Sequence, residues 1–293
     1  MSTIARINIR RAVALKRARR PEVAPSPIVK WAGGKSKLLE ELTKRRPTRF
    51  RRYFEPFAGG AAMFFRMAPK RAVLGDTNSD LINMYECVAW NVEGVMRRLS
   101  LHRRSHSEEY YYATREKWND STRKQSDVWR AAAFIYLNKT CYNGLWRVNR
   151  KGKFNVPIGR YTEPRIYQPK AMRAASLVLQ TADLRVGTYA ETMEDAGRND
   201  FVYLDPPYVP LSGTANFTSY TAEDFGPDDQ EQLATTANLL DKRGCYFMLS
   251  NHDTPVVRKL YKGFNIDTVR CSRAINSNAN KRGSVREVII TNV

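Results

Sequence analysis

The residues best placed to do chemistry are Asp205, Pro206, Pro207 and Tyr208, which directly follow the apolar run "FVYL" at 201–204. That run is rich in strand formers and reads as a buried strand. Prolines at a strand end have no N–H and a fixed φ, so their carbonyls are held outward instead of entering a ladder. Asp205 and the Pro206 carbonyl are therefore expected to form a pair of hydrogen-bond acceptors with no competing donor. Such a pair suits the exocyclic NH₂ of a planar base. Tyr208 offers an aromatic face for stacking that base, worth ~1–3 kcal/mol. The acceptors would draw the amine toward tetrahedral nitrogen and aim its lone pair at an activated methyl group. Catalysis of this kind is positioning and electrostatics, with no need of a nucleophilic cysteine. Simple turn chemistry is the plainer explanation of a double proline.

A second constellation is "EPFAGGAA", Glu55 to Ala62. A strand entering a tight glycine turn and then a helix lets a ligand approach backbone closely. The dinucleotide pattern G-x-G-x-x-G is absent, and helix–strand packing explains two glycines about as well. Asp76 ends the next predicted strand, roughly 20 residues on, where an acid can accept hydrogen bonds from ribose hydroxyls. A helix N-cap within "DTNSDL" is the other reading. Together the glycines and the acid imply a nucleoside-bearing cofactor. With no phosphate-cradling motif nearby, S-adenosylmethionine fits best. Ligands in open α/β sheets bind beyond the carboxyl ends of strands, so both constellations should face one crevice.

The elements that must position these residues alternate along the chain. "RYFEPFAGGAAMFF" reads as strand, turn and helix, and "RAVLGDTNSDLINMYECV" as a strand ending at Asp76 and a helix. Later come "RNDFVYLDPPY", a helix around 228–242, "GCYFMLSNHD", a further helix, "FNIDTVRCS" and "REVIITNV". Strands interleaved with helices predict an α/β sheet of Rossmann-like character. A central block rich in Tyr, Trp, Arg and Lys reads as a mainly helical insertion closing with "NRKGKFNVPIGRY", a hairpin with a Lys-Gly turn. The expected division is a basic arm over 1–26, a catalytic domain formed by 27–82 and 168–293, and an inserted recognition domain over 83–167.

Composition points to a polyanionic partner. The 293 residues carry 49 Lys plus Arg against 29 Asp plus Glu, a formal charge of +20. Nucleic acid is the expected polyanion, ahead of acidic lipid or a purely solubilising charge. Residues 1–20 hold seven basic and no acidic side chains, and three prolines follow within 21–27. This reads either as a phosphate-binding arm on a stiff linker or as a solubilising tail. Cys87, Cys141, Cys245 and Cys271 form no C-x-x-C pair, which suits reduced cytoplasmic thiols. His102 and His106 have i,i+4 spacing without a third ligand, so a solvated pair is expected and no metal site. No run approaches the ~18 apolar residues of a membrane span.

Six stretches in order, "KWAGGK" (30–35), "EPFAGG" (55–60), "DTNSDLINMY" (76–85), "YNGLWRVNRKGKFNVPIGRY" (142–161), "YLDPPYVPLSGTANFTSY" (203–220) and "LSNHDT" (249–254), resemble the DNA adenine methyltransferase (Dam) family. The resemblance covers nearly everything from Pro27 onward. It implies transfer of methyl from S-adenosylmethionine to the N6 amine of an adenine flipped out of duplex DNA. The family proper recognises GATC. By resemblance Trp31 and Lys35 would hold the cofactor, Lys35 on its methionyl carboxylate. Glu55, Phe57, Gly59, Gly60 and Asp205 would border the same pocket, with Asp76 on the ribose. Asp205, Pro206, Pro207 and Tyr208 would be catalytic. Arg147 would read a guanine edge in the major groove. Tyr142 and Asn143 would fill the gap left by the flipped base, while Leu145, Pro157 and Tyr161 make apolar and positioning contacts. The hydroxyl-rich loop "PLSGTANFTSY" would fold over DNA strands.

Several features depart from the family pattern: Ala61 at a glycine position of the turn, bulky Trp146 and Val148 flanking Arg147, a strongly basic hairpin (Arg147, Arg150, Lys151, Lys153) and the extra N-terminal arm. The competing readings are an amino-methylase acting on cytosine N4 or on RNA, and a catalytically idle DNA-binding module. Asp205 argues against each: N4 enzymes tend to place serine there and RNA adenine methylases asparagine, and a mere binder needs no acid. A monomer in the cytoplasm, bound to double-stranded DNA without metal or membrane, is the expected setting.

Overall fold

The computed structural model describes residues 21–35, 38–122, 124–209, 225–272 and 284–293. The arm's first twenty residues and the "PLSGTANFTSY" loop lie outside them. Seven strands form one sheet: β1 (Tyr53–Glu55), β2 (Ala72–Asp76), β3 (Ala182–Val186), β4 (Phe201–Leu204), β5 (Tyr246–His252), β6 (Asn265–Ser272) and β7 (Ser284–Thr291). Their spatial order is β3-β2-β1-β4-β5-β7-β6. The first five run parallel, and β7 then pairs antiparallel with both β5 and β6. Parallel strands covered on both faces must be apolar throughout, and all four residues of β4 are buried.

Alternate residues serve opposite faces of the sheet. Tyr53, Phe201, Tyr203 and Met248 join one core with residues of α1 (Leu39–Arg45), α2 (Ala62–Met67), α3 (Ser79–Arg104), α4 (Glu108–Asn119), α5 (Asp127–Thr140) and α6 (Pro169–Leu179). Phe54, Val202, Leu204, Phe247 and Leu249 form a second core. It includes residues of α8 (Pro227–Lys242) and α9 (Pro255–Leu260), with Tyr189 of the short α7 (Tyr189–Thr192) packed against it. The α/β class expected from alternation is what the chain adopts.

The central block is tied closely to the sheet. The boundary expected at 82/83 falls inside α3, which runs 26 residues from an Asn78 cap with non-helical backbone at Asn91. Helix α5 carries eight consecutive buried residues, Ala131 to Asn138, as a helix enclosed on all sides must. β3 has no counterpart in the sequence reading, because its residues are mostly half-exposed and give no alternation.

One expectation is overturned here. His102 and His106 are not a solvated pair: His102 is buried and stacks on Tyr136 with ring centroids 4.7 Å apart. His106 Nδ1 lies 2.9 Å from the Tyr136 hydroxyl. The i,i+4 spacing aims both at one tyrosine of α5, and burial pushes the His102 pKa down to about 4. Among the described residues no cluster of His, Cys, Asp and Glu could hold a metal, and no helix is long and apolar enough to cross a membrane.

Candidate active site

The strand order reverses between β1 and β4. From β1 the chain winds outward to β2 and β3, then returns to β4 and continues to β5. A crevice opens beyond the carboxyl ends at such a point, and the residues there are Glu55 and Asp205. Glu55 is buried, and that burial pushes its pKa up to about 8. The nearby Asp205 charge adds to the rise, while hydrogen bonds from the Tyr53 hydroxyl (2.8 Å) and the Phe64 N–H (3.1 Å) oppose it.

Asp205 is not free of competing donors, contrary to the sequence reading. Lys35 Nζ sits 2.7 Å from its Oδ1, and Ser250 Oγ donates to the same oxygen at 3.0 Å. Burial raises the Asp205 pKa, with Lys35 first and Ser250 next acting against it. Lys35, expected on a cofactor carboxylate, also donates to the Gly33 carbonyl and lies 4.5 Å from the centre of the Tyr208 ring. Both donors use Oδ1. Among the described residues none reaches Oδ2.

Two carbonyls of the Asp205–Val209 segment are taken by side chains. Gln230 Nε2 donates to the Pro207 carbonyl at 2.8 Å, and His252 Nδ1 bonds the Val209 carbonyl at 2.6 Å. Asn251 completes the clamp, its Oδ1 accepting from Val209 N–H at 3.1 Å and its amide donating to Gln230 at 3.2 Å. The Asp205, Pro206 and Tyr208 carbonyls have no donor among the described residues, and the expected acceptor pair corresponds here to Asp205 Oδ2 and Pro206 O. Tyr208 donates to Glu287 at 3.1 Å and meets His252 edge-on. Gln230, Ser250, Asn251 and His252 received no role from sequence. For Ser250, Asn251 and His252 the only signal was the "LSNHDT" match, and Gln230 had none.

The glycine turn is built around Trp31. Gly59 has φ +45°, and a Cβ there would lie 2.6 Å from Trp31 Cδ1. Close approach therefore demands glycine. Ala61 sits at φ 51°, ψ 40°, a conformation costing an L-residue about 1–2 kcal/mol, which explains glycine at that position in the family pattern. Asp76 accepts from Gly59 N–H at 3.0 Å and Asn78 N–H at 2.9 Å. The helix cap falls on Asn78, which accepts from Leu81 N–H, so capping no longer accounts for the acid. Phe57 stacks on Tyr189 and meets Phe225 edge-on, on the opposite side of the turn from Trp31's partner Phe134.

The expected DNA-contacting residues gather around a hairpin. Val148 bridges Phe154, and Asn149, Gly152 and Lys153 close the turn. Trp146 is buried against Trp118, Phe134 and Phe154, so its bulk anchors the hairpin. Arg147 is exposed, with Nε donating to Asn155 at 2.9 Å. Tyr142 and Pro157 are also exposed, Leu145 is half-buried, and Asn143 is held at φ 56°. Tyr161 meets Lys30 at 3.3 Å through its hydroxyl. A residue unnoticed in sequence joins the two regions: buried Asn138 bonds both backbone groups of Lys30 at 2.8 Å and the Gly144 carbonyl at 3.1 Å. The Lys30–Lys35 loop is thereby fastened to the base of the hairpin.

Known proteins share this arrangement of sequence. The chain is 41% identical over 269 residues to the type II methyltransferase M1.LlaDCHI of Lactococcus lactis subsp. cremoris, covering 91% of this chain and 95% of that one. It is 39% identical over 284 residues to the type II methyltransferase M.MjaIII of Methanocaldococcus jannaschii, covering 91% and 98%. The DNA adenine methylase of Escherichia coli K12 is 37% identical over 264 residues, covering 89% and 93%. Residues 31–275 match a single family, and the chain belongs to it: the D12 class N6 adenine-specific DNA methyltransferases.

Proposed function

We propose that this methyltransferase uses S-adenosylmethionine to methylate the N6 amine of an adenine flipped from duplex DNA, held by Asp205 Oδ2 and the Pro206 carbonyl. The observation that carries the reading lies at the crevice: among the described residues no donor reaches Asp205 Oδ2 or the Pro206 carbonyl, while Asp205 Oδ1 and the Pro207 and Val209 carbonyls are taken. An adenine amine has two N–H groups to give, and the site offers two acceptors on rigid supports. Accepting both hydrogens leaves the nitrogen lone pair as the remaining direction of attack.

The cofactor's fit is supported by the turn itself. Gly59 and Gly60 keep backbone bare beneath Trp31, and Asp76 stands at the end of β2 with both oxygens held by backbone N–H groups. Trp31, Phe57, the two glycines and Asp76 would hold the adenosine part. Lys35 and Glu55 would lie toward its methionyl part. Bound there, the cofactor supplies an electrophilic methyl group. The chain's own work is orientation, exclusion of water and acceptance of the amine hydrogens.

Residues 83–167 would act as the target-recognition region, docking the basic hairpin in the major groove. Arg147 is its base reader, with Tyr142 and Asn143 entering the stack and Leu145, Pro157 and Tyr161 lining the approach. Arg147→Ala is expected to cost ~1–3 kcal/mol of discrimination at a single base pair. Competition binding against sites altered one position at a time reads this out, and equal weakening on all sites would refute the role.

The site itself is tested by sequencing modified bases in plasmid DNA from methylation-deficient cells expressing the protein. N6-methyladenine in GATC is the expected result. N6-methyladenine in another motif would retain the chemistry and relocate specificity to the hairpin. Soluble, DNA-binding protein without modified adenine would overturn the reading.

A further inference from the structure

The register of β4 and β5 pairs Leu204 with Leu249, so the next residues, Asp205 and Ser250, come abreast. Ser250 is wholly buried, and its neighbour Tyr203 is 1% exposed. Their hydroxyls lie 3.2 Å apart, and Ser250 Oγ is 3.0 Å from Asp205 Oδ1. A carboxylate beside an ammonium group only accepts, so the single Ser250 proton goes to Asp205. Ser250 must then accept from Tyr203. The chain of hydrogen bonds has one direction: Tyr203 to Ser250 to Asp205.

We infer that Tyr203 and Ser250 are positioning residues that orient the Asp205 carboxylate and keep it ionised, leaving Oδ2 for the substrate amine. The inference rests on the reading of Asp205 as the amine acceptor. Lys35 and Ser250 approach the same oxygen, and two donors on Oδ1 fix the carboxylate's rotation where one would let it swing. Neither hydroxyl touches the substrate in this arrangement. Without Ser250, burial would be opposed at Asp205 by Lys35 alone, and the protonated, non-accepting form would gain. The other titratable groups facing Asp205 stay in place when Ser250 is changed. They are Lys35 ahead of α1, Tyr53 and Glu55 on β1, and Tyr203 and Tyr208 on its own segment, the two last also facing Glu287 of β7.

The test compares full-length wild type, Ser250→Ala, Ser250→Thr, Tyr203→Phe, the Ser250→Ala/Tyr203→Phe double variant and Asp205→Ala. Steady-state methylation of a cognate duplex is measured across pH, with melting curves to correct for folded fraction. Ser250→Ala is expected to lower kcat about 10- to 100-fold, leave both KM values within about twofold, and move the acidic limb of the kcat profile to higher pH. Ser250→Thr should restore most of the rate. Tyr203→Phe should shift the limb the same way but less, and the double variant should be no worse than Ser250→Ala, because Tyr203 acts only through Ser250. If Ser250→Ala fails to fold with the Tyr203 hydroxyl orphaned, the double variant carries the measurement. An unmoved acidic limb, or losses that multiply in the double variant, overturns the relay. Activity retained by Asp205→Ala would sink the parent reading instead, so the two failures are distinguishable.

Discussion

Asp205→Ala takes methyl transfer down by at least about 10²–10³-fold while duplex binding stays within about twofold; this is the largest expected effect on activity. The magnitude is that of removing one preorganised group from a buried electrostatic site. Asp205 stands at the sheet's switch point, 19% exposed, between Lys35 and Ser250. None of the exposed hairpin residues touches it among the described contacts, so DNA affinity should survive. Asp205→Asn is the sharper control, because it keeps the shape and one acceptor oxygen but removes the charge that holds Lys35. Its amide can present N–H toward the amine, which needs acceptors, so a comparable loss is expected. Single-turnover methylation and gel-shift binding on the same duplex check both halves. Transfer at the wild-type rate in either variant would remove Asp205 from the mechanism.

The largest expected effect on stability lies at the other end of the sheet. Asp200 is completely buried just before β4. It accepts from Arg51 Nε at 2.9 Å and Nη2 at 2.8 Å, from Arg52 Nη2 at 2.7 Å, and from the Arg52 and Gly197 N–H groups at 3.1 and 3.0 Å. Burial alone would raise its pKa. The Arg51 and Arg52 hydrogen bonds, with Gly197, outweigh that and bring it to about 2. A folded value below the ordinary 3.8 means the unfolded chain takes up the proton first on acidification. The stabilisation is therefore complete above pH 3.8 and lost as pH falls through about 2, a contribution of about 2–3 kcal/mol. Asp200→Ala should cost about 3 kcal/mol at neutral pH, at the low end for a broken buried ion pair because Arg51 is 54% exposed and can turn to water. The denaturation midpoint should fall with unchanged slope, and the acid-induced loss below pH 4 should shrink. Methylation per folded molecule should be unaffected, since the cluster lies at the amino ends of β1 and β4. A midpoint within about 0.5 kcal/mol of wild type would show that the pair's attraction only repays its desolvation.

The site was legible in sequence where a residue's own covalent chemistry limits it. Pro206 and Pro207 cannot donate to a ladder wherever they fall, and the bare backbone at Gly59 follows from a missing Cβ. The acid at the end of β2 was visible by spacing, but that the helix cap falls on Asn78 and not on this acid was seen only in the structure. What sequence missed depends on partners brought from elsewhere in the chain. Ser250 meets Asp205 across 45 positions and Lys35 meets it across 170, through strand pairing and loop placement that no local pattern encodes. Asn138 in "LNKT" looks like an ordinary polar helix residue until it closes on Lys30. The histidines failed for the same reason: their spacing identified a shared helix face but not the tyrosine opposite.

By itself, then, the sequence determined the α/β class and the basic character, which follow from periodicity and composition, and the family, which six ordered motifs carry by resemblance. Only the tertiary structure decided which of the loop's acceptors are occupied by the protein's own donors, because hydrogen bonding is settled by distances between groups far apart in the chain.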